Sequence, residues 1–108
     1  MKFFLFIVFS LCSLVANSAE WIDINLNQIE VTAPAAGGEG LFFAKDTPYV
    51  TSFSCPSNRY VVIRDQKLAD RAISMALYAK STSGKLRVYV SGCDSQGVIS
   101  GVGVMLLP

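Results

Sequence analysis

From residue 22 the chain alternates, with Ile22, Ile24 and Leu26 on one face and Asp23, Asn25 and Asn27 on the other, and then resumes with Ile29 and Val31 in the opposite phase. Period two marks a strand, and a one-residue slip near Asn27 and Gln28 is the signature of a β-bulge that bends it. Residues 33–40, Ala-Pro-Ala-Ala-Gly-Gly-Glu-Gly, have little to bury and read as a loop. A phosphate-binding glycine loop is the disfavoured alternative there, because no Lys-Ser/Thr pair follows and no helix pattern opens behind it. Residues 41–44 form a short apolar strand, and Asp46-Thr47-Pro48 is turn chemistry. Tyr49, Thr51, Phe53 and Cys55 then share one face of an expected third strand, broken by Pro56-Ser57-Asn58. Residues 60–63 are apolar throughout, as in a strand covered on both faces.

The pattern then changes period. Over residues 66–81, Leu68, Ala69, Ala72, Ile73, Met75, Ala76 and Ala79 gather on one side of a helical wheel. Lys67, Asp70, Arg71, Ser74, Tyr78 and Ser81 occupy the other side. Asp65 is placed to cap the helix, and Gly84 lies just beyond its end. An apolar side built largely of alanine allows close approach to a sheet. Residues 85–93 alternate again, with Leu86, Val88 and Val90 inward and Arg87, Tyr89 and Ser91 outward. After the turn Asp94-Ser95-Gln96-Gly97, residues 98–107 form a last strand, with Ile99, Gly101, Gly103 and Met105 on one face and Val98, Ser100, Val102, Val104 and Leu106 on the other. Its closeness to the C-terminus suggests a sheet edge that needs cover.

The first residues follow another rule. Lys2, the apolar run 3–9 and the small residues Ala16, Asn17, Ser18 and Ala19 make residues 1–19 a secretory signal peptide, with cleavage after Ser18 or after Ala19. The apolar run is short for a membrane span, so a stable membrane anchor is not expected. Residues 20–108 then form one domain, secreted or periplasmic. Of three cysteines, Cys12 lies in the signal segment. Cys55 and Cys93 are most simply a disulfide in an oxidising compartment, with two free thiols as the alternative. Such a bond is worth about 4 kcal/mol by chain entropy.

The whole chain of 108 residues carries a net charge of +1, and removal of Lys2 leaves it near neutral. Nothing in that balance points to nucleic acid. The chain contains no histidine, which removes Ser-His and Cys-His nucleophiles and the commonest metal ligand. Asp23, Glu30, Glu39, Asp46, Asp65, Asp70 and Asp94 show no spacing that pairs two carboxylates. The expectation is therefore no catalytic residue, no metal and no cofactor. Trp21, Tyr49, Tyr78 and Tyr89 remain as amphipathic aromatics of the kind that stack on sugars or anchor protein contacts, and they are the candidate ligand-binding residues.

The succession Cys55-Pro56-Ser57-Asn58-Arg59-Tyr60, strand, the helix through Ala76-Leu77-Tyr78-Ala79-Lys80-Ser81-Thr82-Ser83-Gly84-Lys85, and Val88-Tyr89-Val90-Ser91-Gly92-Cys93 resembles two related groups. One is small secreted bacterial proteins of unassigned function. The other, more distant, is the B subunits of AB5 toxins of the subtilase cytotoxin and typhoid toxin kind, whose mature chains likewise open near Ala19-Glu20-Trp21. The resemblance covers residues 55–93 well and the first strands poorly. It implies an OB-fold, a homopentameric ring with helices lining its centre, and recognition of sialylated or other cell-surface glycans. The Ser- and Tyr-containing first-strand segment that holds sialic acid in those subunits has no counterpart in residues 22–31, so no glycan-contacting residue carries over. The expected fold is mainly β with one α-helix, a small antiparallel OB-like barrel of about five to six strands with the helix between the fourth and fifth. The expected function is a non-catalytic binding module for a cell-surface glycan, or alternatively a protein-interaction or inhibitor-like protein that uses the last strand to pair with a partner edge.

Overall fold

A computed structural model describes residues 19–32 and 39–108. The expected signal peptide, apart from Ala19, and residues 33–38 of the expected glycine-rich loop lie outside the described residues. In chain order the elements are β1 (Glu20–Asp23), β2 (Ile29–Thr32), β3 (Gly40–Ala44), β4 (Ser57–Ile63), the helix α1 (Gln66–Ser81), β5 (Lys85–Cys93) and β6 (Val98–Leu107). The fold is mainly β, with the helix between the fourth and fifth strands as expected. All six strands join one sheet in the order β1-β5-β6-β4-β3-β2.

That sheet is mixed, not antiparallel throughout. β4 and β6 run parallel, with Val61 opposite Ile99 and Val62 opposite Ser100. Parallel neighbours need a long crossover, and α1 with β5 supplies it. β6 is also not an edge, because β5 and β4 flank it and its ladder with β4 reaches as far as Ser100.

The edges are β1 and β2, which are consecutive in the chain. Residues 24–28 carry the backbone from one edge to the other, where the sequence places its phase slip. The Ile24 N–H donates to the Leu86 carbonyl of β5 at 3.0 Å, and the Ala44 N–H of β3 donates to the Gln28 carbonyl at 3.1 Å. No ladder between β1 and β2 closes the sheet among the described residues, and the covalent chain spans the gap instead.

The expected third strand over residues 49–55 is absent as a strand. Its alternation is nonetheless real, since Tyr49 and Cys55 are buried, Thr51 and Phe53 are half-buried, and the residues between them are exposed. Period two reports an extended backbone with one side against the core, and a ladder is not required. Residues 45–56 form a strap held by single hydrogen bonds, such as those from the Lys45 N–H to the Arg59 carbonyl at 3.1 Å and from the Tyr49 N–H to the Asn58 carbonyl at 2.8 Å. Ser57 and Asn58, expected to break a strand, begin β4. The count of six strands survives because the first expected strand divides in two.

Phe43, Leu41, Ile63, Leu86, Ile99, Val61, Val88 and Val90 are almost wholly buried and form the centre of the core. α1 begins where Asp65 accepts a hydrogen bond from the Leu68 N–H at 2.9 Å, and it buries Ala72, Ala76 and Ala79. On β6 the faces expected from strict alternation are corrected by a bulge. Tyr89 lies opposite Gly103 and Val90 opposite Gly101, which leaves Val102 unmatched and reverses the phase. Val104 and Leu106 therefore pack against the core at one end, and Gly101 and Ile99 turn inward at the other. A Cβ on Gly101 would lie 2.6 Å from Val88 Cγ1, so only glycine fits there.

The Cys55–Cys93 disulfide is formed, with Cα atoms 5.6 Å apart across 38 positions of sequence. Cys93 ends β5, whereas Cys55 sits at the end of the strap. The closed loop contains β4, α1 and β5. Such a bond is compatible with a compartment outside the cytoplasm. No described helix is long and apolar enough to cross a membrane.

Candidate functional site

The inward placement of Leu86, Val88 and Val90 obliges Arg87 and Tyr89 to project from the other face of β5. Strand register then decides their neighbours. β1 sets Trp21 opposite Tyr89 and Asp23 opposite Arg87, while β6 sets Gly103 opposite Tyr89 and Met105 opposite Arg87. The outer face thus carries two adjacent rows, Trp21-Tyr89-Gly103 and Asp23-Arg87-Met105.

In the first row the two rings are 5.1 Å apart between centroids and tilted by 54°. Tilted pairs are favoured by the ring quadrupoles and hold one another in place. Trp21 is 42% exposed, a large value for the only tryptophan in the chain. A Cβ on Gly103 would lie 3.3 Å from Tyr89 Cβ, a tight approach, and 3.6 Å from Trp21 Cη2, an ordinary contact, so bare backbone borders the two rings. In the second row Arg87 Nε donates to Asp23 Oδ1 at 2.8 Å, and both side chains are largely exposed. An exposed pair of this kind contributes about 0–1 kcal/mol to stability. The rows are about 6–7 Å apart along the strand. An aromatic face therefore stands one sugar ring's breadth from a carboxylate acceptor and a guanidinium donor.

Tyr49 belongs to a different setting. It is 5% exposed, and its hydroxyl donates to the Phe43 carbonyl at 3.2 Å and accepts from the Asn25 N–H at 3.3 Å. Burial raises its pKa above the ordinary phenol value, partly offset by the Asn25 amide. The ring faces Lys45, whose Nζ lies 4.3 Å from its centroid. Tyr49 is thus a core residue that sews the strap to the crossing segment, which corrects its expected place among exposed aromatics. Tyr78 is 59% exposed on α1 beside Leu77 at 58%. The structure brings Trp21 and Tyr89 together and leaves Tyr78 on the helix.

A second polar cluster joins the end of β4 to the β5–β6 turn. Arg64 donates from Nε and Nη2 to Asp94 Oδ2 at 3.2 and 3.1 Å, from Nη2 to Gln96 Oε1 at 3.0 Å, and from Nη1 to the Glu39 carbonyl at 3.0 Å. Asp94 Oδ1 accepts from the Gln96 and Val98 N–H groups, both at 2.9 Å. Burial pushes the Asp94 pKa up, but the Val98 amide, the Arg64 side chain and the Gln96 amide outweigh it and hold the carboxyl below its ordinary value. All of these contacts except the one to Glu39 fix the turn.

Next to this cluster a cleft of about 390 Å³ opens between the first two turns of α1 and residues 100–102 of β6, with Lys67, Arg71 and Ser100 on its walls. The first turn of α1 contains no acidic residue, contrary to the usual preference at that end of a helix.

Sequence named Asp23 only among unpaired carboxylates and Gly103 only as part of a strand face, and it did not single out Arg87 or the Lys67-Arg71-Ser100 cleft as sites. Alternation shows that Arg87 and Tyr89 share a face, but cross-strand register is needed to bring Trp21, Asp23 and Gly103 to them. Compared with family models, curated proteins and solved structures, the chain has no match, so its functional reading rests on its own residues and their geometry.

Proposed function

We propose that this chain is a secreted or periplasmic, non-catalytic binding module whose outer sheet face takes a saccharide. The observation that carries the reading is the Trp21-Tyr89 pair beside bare Gly103, with the Asp23–Arg87 pair in the adjacent row. A pyranose ring presents an apolar C–H face that stacks on an indole, and its hydroxyls both donate and accept. The two rows offer partners for each.

Trp21 itself reports on the site, being the only fluorophore of its kind in the chain. Titration of glycans into the purified protein is expected to change its emission saturably, and Trp21→Ala is expected to abolish capture on a glycan array while the thermal transition stays within a few degrees. An array blank across sialylated and neutral glycans would end the saccharide reading.

The domain is read as an OB-like, partly open barrel, an inference supported by the strand order, the parallel β4/β6 pair and the helix position. Kinship with AB5 toxin B subunits and a homopentameric state belong to the same proposal. The exposed Leu77 and Tyr78 on α1 favour self-association through that helix, or else the second reading, a protein-interaction or inhibitor-like role. Light scattering separates them, since a pentamer supports the ring and a monomer favours the second.

A further inference from the structure

Lys67 and Arg71 stand four residues apart on the exposed side of α1, at the separation where side chains are neighbours and like charges repel. Neither makes an ion pair or hydrogen bond among the described residues. The other charged groups around the cleft are already engaged. Arg64 is held by Asp94, Gln96 and the Glu39 carbonyl, and Asp65 Oδ2 accepts the Leu68 N–H as the helix cap. The backbone amides at the start of α1 are therefore not the open donors here.

The opposite wall is β6 at the point where its ladder with β4 ends, and where the bulge at Val102 turns the strand. Ser100 is part of that wall, and Val102 is 53% exposed beside it. The cleft holds about 390 Å³, ample for a small ion and part of the molecule that carries it. Lys67, Arg71 and Ser100 line it with one carboxylate, Asp65, which caps the helix, while Asp70 on the same side of α1 is not part of the lining.

We infer that this cleft binds a tetrahedral oxyanion, a phosphate or sulfate group, through Lys67, Arg71 and Ser100. Arg71 supplies paired N–H donors, Lys67 a point charge and Ser100 a neutral donor, a combination suited to an anion with several equivalent oxygens. Binding relieves the repulsion between the two cations on one helix face. The site is separate from the Trp21 platform and does not depend on the saccharide reading.

The test is titration of the disulfide-bonded protein with sodium phosphate and sodium sulfate, against chloride at equal ionic strength, followed by calorimetry and backbone amide shifts. Saturable shifts at Lys67, Arg71 and Ser100 are expected with phosphate or sulfate and not with chloride. Lys67→Gln and Arg71→Gln should each weaken binding by about tenfold, and Ser100→Ala by less. Trp21→Ala should leave it unchanged. An unsaturable response, an equal response to chloride, or unaltered affinity in folded K67Q and R71Q overturns the assignment. Methyl phosphate and a sugar phosphate decide the source, because tighter binding than inorganic phosphate assigns an ester on a larger molecule and equal binding assigns the free ion.

Discussion

β5 and β6 grip each other along a continuous ladder from Lys85 opposite Leu107 to Cys93 opposite Ile99, interrupted only by register shifts at Tyr89/Val90 and Val90/Gly92. The strap at residues 45–56, of comparable length, has no ladder. It is fastened at scattered points by the Lys45 and Tyr49 amides, the Tyr49 hydroxyl, the Glu20 carboxylate on the Ser52 N–H at 2.6 Å, and Cys55. β5 and residues 49–55 of the strap both alternate buried with more exposed residues, so the hydrophobic effect treats them alike. They differ in where their backbone hydrogen bonds go. A ladder distributes order over many equivalent bonds, whereas a strap concentrates it in a few, and each of those few carries more of the local stability.

The largest test of this contrast is removal of the disulfide. Cys55→Ser with Cys93→Ser is expected to lower unfolding stability by about 4 kcal/mol, read from the full denaturant curve, with a steeper slope as the unfolded chain loses its cross-link. Amide hydrogen exchange should accelerate first in residues 45–56 and last in β5 and β6. Uniform acceleration would show that strap and ladder are one cooperative unit and would break the contrast.

Tyr49→Phe is next in size. It leaves the half-buried Asn25 N–H without its hydroxyl acceptor and removes a second donor from the Phe43 carbonyl, which keeps its place in the β3 ladders, for an expected loss of about 1–3 kcal/mol. The pH dependence has a defined sign. Because the folded pKa of Tyr49 is raised, its contribution is fully present below the unfolded value of about 10 and is lost as pH rises above it. Wild-type stability should therefore fall more steeply than that of Y49F in alkali, and parallel curves would deny the buried hydroxyl this role.

The smallest effect belongs to the ladder region. Asp94 has a lowered folded pKa, so its contribution is present above the unfolded value of about 3.9 and is lost as pH falls through the folded value. Asp94→Asn should flatten the acid limb below about pH 4, by less than the Tyr49 change at neutral pH, because the β5–β6 ladder still holds the turn. An acid limb indifferent to D94N would mean that the Val98, Arg64 and Gln96 contacts to this carboxylate are not maintained in solution.

How far the chain could be read without coordinates follows from the same physics. α1 was legible to the residue, since its cap, its alanine side and its end are local features separated by at most a few turns. The change of direction after β1 was legible as a change of phase, although it is a crossing over residues 24–28 between two strands and not the bulge within one strand that was expected, and the disulfide was legible as an even pair of cysteines. The candidate site was legible only in half. Trp21 and Tyr89 were named, but Tyr49 was grouped with them although its hydroxyl is bonded in the core, and nothing local distinguishes the two situations.

Periodicity by itself determined which residues face inward and which outward on β5 and α1, because the faces of a strand or helix are set by its own geometry. Only the tertiary structure decided that residues 49–55 form a strap, that β6 lies inside a mixed sheet, and that Trp21, Tyr89, Gly103, Asp23 and Arg87 share one surface. Those outcomes depend on register and strand order, which arise from contacts between segments distant in sequence, and alternation along one segment carries no information about its partner.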